Sequence, residues 1–179
     1  LENLISQGIK ALTQAISEGK VAIITTIKLE KETGEIKIRR DFQDERIKAE
    51  VEVKGNAVVA IVSSENREGR TVILNIDNRA LPILDLRRVE VEVDGEKVPL
   101  ADSYEDVLNP NDDGGQAEYL ILVGGEGIQV LVSIPHFSAR TITIRGPIAA
   151  TPANRTPLVL TAGIVFMLIL LFVFRRGSE

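Results

Sequence analysis

The sequence predicts a mainly β protein. Residues 20–146 form an antiparallel, Ig-like β-sandwich, residues 1–19 an amphipathic helix before it, and residues 158–174 one transmembrane helix after it. Three observations carry this expectation. From Lys20 onward apolar and polar residues alternate in short runs, the period of a half-buried strand. Turn signals rich in Gly, Asn and Asp separate the runs at roughly 8–12-residue spacing, as in sandwiches and barrels. The segment LVLTAGIVFMLILLFVF near the end of the chain carries no charge at all.

The first element reads as a helix because Leu4, Ile5, Ile9, Leu12 and Ile16 fall on one face at helical spacing, and Gly19 follows as a stop. Two uses of that face are open. It can pack on the domain, or Ile5, Ile9, Leu12 and Ile16 can form a self-association stripe, in which case Asp at Ile9 and Leu12 breaks the association. Residues 21–29 are a β-branched strand, and Lys31-Glu32-Thr33-Gly34 turns into a second strand at 36–39. In the next run Ile47, Ala49, Val51 and Val53 alternate with Lys48, Glu50 and Glu52, giving one apolar and one wet face. Strands at 58–62 and 72–76 follow, with Gly55-Asn56 and 65–69 as turns. A division into two sub-sheets is expected near 81–88.

Asp94-Gly95 is a two-residue hairpin signal between strands at 89–93 and 96–98. Residues 102–108 read as a short helix capped by Asp102 or Ser103. Strands at 119–123 and 128–134 flank Gly124-Gly125-Glu126-Gly127, and 140–144 is the last strand. Pro147, Pro152 and Pro157 stiffen a stalk over 147–157.

The run 158–174, about 17 residues, sits at the lower end of what crosses a hydrocarbon core. Leu158, Phe166, Leu170 and Phe174 mark its length, and Arg175 and Arg176 close it. A buried core helix is the competing reading, but this run has no polar face and follows a Pro-rich stretch. The arginine pair places the tail, 175–179, in the cytoplasm and the large domain outside. A first residue other than Met is expected after removal of a leader, and Asn154-Arg155-Thr156 is the chain's one N-glycosylation sequon, just outside the membrane. A cytosolic tail-anchored topology would leave that sequon unused.

Composition narrows the function classes. The net charge is −5 with no long basic run, which argues against nucleic-acid binding. Charged residues make up 26% of the chain with both signs interleaved, Ile and Val are abundant, and Cys and Trp are absent. That combination suits a hyperthermophile that relies on core and ion pairs rather than disulfides.

Residues able to do chemistry are few. His136, the lone histidine, follows Pro135 at a strand end, and neither Ser133 nor Ser138 lies in a nucleophile elbow. One histidine without cysteine cannot build a structural zinc site. Asn109, Asn111, Asp112 and Asp113 make an oxygen-rich loop, the ligand type of Ca²⁺, but without EF-hand spacing, so an ordinary solvated turn is the simpler reading. The glycine loop 124–127 lacks the lysine and helix of a phosphate cradle. No catalytic residue, cofactor or further metal site is expected, and the chain is not expected to be an enzyme.

Val89-Glu90-Val91-Glu92-Val93-Asp94-Gly95-Glu96, Tyr119-Leu120-Ile121-Leu122, Val130-Leu131-Val132-Ser133-Ile134-Pro135-His136-Phe137-Ser138 and Thr141-Ile142-Thr143-Ile144 form one pattern. It resembles the membrane-proximal β-domains of archaeal cell-surface and S-layer-type proteins, which precede a linker and a terminal membrane helix. The resemblance implies a structural module without catalytic residues. This chain lacks the Pro-Gly-Phe sorting signal common before that helix, which favours a retained anchor. The expected function is that of a cell-surface glycoprotein that anchors or builds an S-layer or filament. Its partners would be the membrane and other surface proteins or copies of itself. The alternative is a single-pass accessory subunit of a larger membrane complex.

Overall fold

A computed structural model describes residues 2–81, 88–112 and 114–146. Helix α1 (Glu2–Ser17) ends in a left-handed Gly19 at φ +67°. The Gly19 N–H donates to the Ile16 carbonyl at 3.0 Å and the Lys20 N–H to the Ala15 carbonyl at 2.8 Å, closing the last turn as a Schellman motif. Strand β1 (Val21–Leu29) then runs back along the helix and pairs antiparallel with β2 (Ile36–Gln43).

Past β2 the chain turns a corner into the other sheet. There β3 (Ile47–Lys54) and β4 (Ala57–Ser64) form a hairpin about Gly55-Asn56. Strand β5 (Arg70–Asp77) returns to the first sheet. The later elements are β6 (Glu90–Val93), β7 (Glu96–Lys97), α2 (Tyr104–Val107), β8 (Glu118–Val123), β9 (Gly127–Ile134) and β10 (Arg140–Arg145). The first sheet has the order β2-β1-β5-β9-β8 and the second β3-β4-β10-β6-β7.

Two expectations change. The sheets are not purely antiparallel, because β1 and β5 lie parallel. A parallel neighbour needs a crossover, and the β3–β4 hairpin, lying in the other sheet, supplies it in place of a helix. Nor are the sheets divided at 81–88. Each takes strands from both sides of that segment, because β8 and β9 extend the first sheet while β6, β7 and β10 extend the second. The short helix is capped by Ser103, whose side chain accepts the Asp106 N–H.

One core joins the sheets. Ile23, Ile27, Leu74 and Val132 of the first meet Val58, Val62, Val91 and Ile142 of the second, with Phe137 among them. This is the layer geometry of two sheets packed face to face. A second cluster lies on the far side of the first sheet, where Leu12 and Ala15 of α1 and Val107 of α2 cover Ile24, Ile73 and Leu131. The tight approach of β9 to β5 needs Gly127, since a Cβ there would stand 2.0 Å from the Ile76 carbonyl oxygen.

Candidate functional site

The apolar stripe of α1 is used within the chain. Leu12 is 5% exposed, and Ile9 and Ile16 pack against the same cluster. An apolar helix face beside a sheet with an apolar outer surface buries both, so Asp at Leu12 would strike the domain's own core. The Ile5 side chain lies outside the described residues. So do Asp113, Asn154, Leu158, Phe166, Leu170, Phe174, Arg175 and Arg176.

The oxygen-rich loop is tied internally. Asn109 Nδ2 donates to Asp112 Oδ2 at 2.7 Å, and the Asn111 N–H donates to the Asn109 carbonyl at 2.7 Å. Among the described residues no three His, Cys, Asp or Glu side chains gather where they could hold a metal ion. His136 is exposed, and it is its backbone carbonyl that receives Arg140, from Nη2 at 3.0 Å and Nε at 3.2 Å.

A polar row that sequence reasoning missed crosses four strands on the outer face of the first sheet. Gln129 of β9 donates to Asn75 Oδ1 of β5 at 2.8 Å, Asn75 donates to Thr26 Oγ1 of β1 at 3.4 Å, and the Thr26 hydroxyl donates to Asp41 of β2. Arg39 closes the row on Asp41 at 2.5 Å. Thr26, Asn75 and Gln129 are buried, so each bond replaces water that the fold has removed. The signal was available as amide and hydroxyl residues set inside otherwise apolar strands. These groups can fix register, but amides and a hydroxyl held by a carboxylate supply neither a nucleophile nor a base.

Several acids elsewhere are committed to basic partners. Among the described residues an Asp-x-Arg arrangement occurs twice. Asp44 Oδ1 accepts the Arg46 N–H and Nε, both at 2.9 Å, and its Oδ2 accepts Nη2 at 2.6 Å. Asp77 receives the same three groups of Arg79. Hydrogen bonds from the arginine hold both carboxyls below the usual carboxylate range, against the opposing effect of burial. Asp94 likewise takes Arg140 at 2.7 Å and the Thr141 N–H at 2.8 Å. A cleft of about 610 Å³ at the end of the β3–β4 hairpin is open and lined by Glu45, Arg46, Lys48, Ser63, Ser64 and Glu65, so its charges balance.

The remaining unusual surface is the flank where the sheets present β2 and β3. Both are edge strands, and Ile36 and Ile38 of β2 are each 40% exposed there. Arg40 reaches across from β2 and donates to the Ala49 carbonyl of β3 at 3.3 Å. Burial pulls its guanidinium down from its ordinary value. Long open edges with apolar side chains are pairing surfaces, which makes this flank the candidate interaction site. No protein-family model, curated protein or solved structure matches the chain.

Proposed function

We propose that this is a non-enzymatic, single-pass surface protein whose Ig-like β-sandwich stands outside the membrane and anchors or builds a surface assembly such as an S-layer or filament. The observation that carries the reading is the uncharged run 158–174 closed by Arg175-Arg176. Such a run makes insertion effectively irreversible, and the arginines orient it. Among the described residues no helix is long and apolar enough to cross a membrane; the run itself lies outside them. The β2–β3 flank adds support, because an assembly needs contact surfaces and open edges provide them. So do the acids described above, which face arginines rather than one another as a carboxylate dyad would.

The test is extraction of native membranes with alkaline carbonate, followed by protease treatment of intact cells and glycosidase digestion. The chain should stay in the pellet, lose its large domain to external protease, and shift in mass if Asn154 carries a glycan. Release by carbonate would overturn the reading. The second reading is an accessory subunit of a membrane complex, favoured by the small residues Thr161, Ala162 and Gly163, which suit one close helix contact. Co-purification with polytopic subunits would select it.

A further inference from the structure

The two open edges lie on one flank and match each other. Strands β2 and β3 are consecutive, antiparallel and joined by the corner at 44–46, β2 in the first sheet and β3 in the second. Arg40 bonds to the Ala49 carbonyl at 3.3 Å and Gln43 to the Ile47 carbonyl at 2.6 Å, which fixes residues that face each other across the flank. Arg40 stands opposite Ala49. Counting outward, Ile38 then faces Val51 and Ile36 faces Val53 on the core side. On the solvent side Arg39 is level with Glu50 and Lys37 with Glu52.

Backbone phase follows from the two hairpins. The Glu30 N–H donates to the Glu35 carbonyl at 2.8 Å, so the bonded pairs between β1 and β2 continue as Lys28 with Lys37 and Thr26 with Arg39. Ile36 and Ile38 therefore point their own N–H and C=O at the open edge. The two-residue turn Gly55-Asn56 makes Lys54 and Ala57 a bonded pair, followed by Glu52 with Val59 and Glu50 with Ile61. Val53, Val51 and Ala49 therefore point theirs at the other open edge, and the bond from Arg40 to the Ala49 carbonyl agrees.

We propose that a second copy of this chain pairs with this flank about a twofold axis parallel to the strands, β2 of each copy adding antiparallel to β3 of the other. That axis exchanges the level of the two sheets and leaves positions along the strands unchanged, so the register is already set within one copy. Ile36 meets the partner's Val53 and Ile38 meets the partner's Val51, each pair with both free backbone groups in phase. Lys37, 67% exposed and paired with Glu30, comes level with the partner's Glu52, and Arg39, held by Asp41, with the partner's Glu50. Glu52 is itself 45% exposed. Backbone phase, apolar rows and charge rows thus select one register together. The first sheet of each copy continues into the second sheet of the other, and the contact is isologous, closing at two copies. One contact opposes it: Arg40 is brought near the partner's Arg40, so the association is reversible. The dimer does not depend on the membrane reading.

The experiment uses the full chain in mild detergent. Because the chain has no cysteine, Lys37→Cys in one preparation and Glu52→Cys in another report only the contact they form. Mixed and oxidised, they should give a disulfide-linked dimer, while either preparation alone should not. This pattern separates the flank from any dimer made by the anchor. Lys37→Glu or Glu52→Lys should weaken dimerisation roughly tenfold, and the double variant should restore it. Ile38→Pro removes an edge-facing donor while leaving the β1–β2 bonds intact, and should abolish the dimer while the chain stays folded by circular dichroism. Arg40→Met should tighten it. No mixed disulfide, cross-linking of the Lys37→Cys preparation by itself, or no restoration by the double charge swap would overturn the proposal.

Discussion

The two sheets share one core yet obey different rules. The first is covered on both faces, by the second sheet and by the helices, and every residue of its central strand β5 is buried. Among the described residues the second is covered on one face only, and its strand β4 leaves Ile61 45% exposed. The sequences differ accordingly. RTVILNID is nearly continuous in apolar residues, whereas IKAEVEVK alternates. A strand buried twice has no solvent for its polar groups, so those it carries must find partners in neighbouring strands. A strand buried once can leave them wet.

The largest effect should come from testing that asymmetry with one chemical change at two places. Ile73→Ala on the outer face of the first sheet removes a side chain packed under α1 and α2, and should cost about 2–5 kcal/mol. Ile61→Ala on the outer face of the second sheet should cost less than about 1 kcal/mol. Urea unfolding of both variants measures the gap. Equal losses would mean that the helices do not bury the first sheet in solution.

A smaller effect is expected in the polar row. Asn75→Ala deprives Gln129 of its acceptor and Thr26 of a donor, both buried, and should cost about 1–3 kcal/mol. The replacement Asn75→Leu with Gln129→Leu removes both amides together, and should recover much of that loss. The comparison asks whether the row fixes register or only satisfies itself. Hydrogen exchange of β5 and β9 amides in the double variant answers it, since slippage would expose bonds that the native register protects.

How much of this was legible depended on which face a strand turns to what. The alternation at 47–53, the Asp94-Gly95 hairpin and the stop at Gly19 are local signals, and each element formed where it was expected. Asp94 and Gly95 both take positive φ, as that hairpin requires. The parallel neighbour of β1 was not legible, because it depends on where a hairpin in the other sheet returns the chain, which no local pattern encodes. The polar row was missed. Thr26, Asn75 and Gln129 each interrupt an apolar strand, but their alignment needed two registers at once. The flank was similarly hidden. The alternation of β3 marks one wet face but not its neighbours, and the fold places β2 and β3 in different sheets, each at an edge.

The smallest effect concerns the corners where the chain leaves a strand, and it carries a sign. At the end of β5, Arg79 holds the Asp77 carboxyl below its ordinary value, about 3.9 in an unfolded chain. A depressed carboxyl contributes stability that is fully present above its unfolded pKa and is lost as pH falls through the folded one. Asp77→Asn should therefore be less stable than the parent at pH 7, by on the order of 1 kcal/mol or less, because Arg79 remains largely in water. As the pH drops below about 4 the parent alone loses this contribution, and the two unfolding midpoints should converge. The same substitution at Asp44 should behave alike, since Arg46 makes the same three bonds there. The Asp44 corner, however, joins the sheets beside the open flank, whereas Asp77 ends a strand buried on both faces. If Asp44→Asn also weakens dimerisation while Asp77→Asn does not, the corner sets the facing of β2 and β3 as well as the stability of the chain.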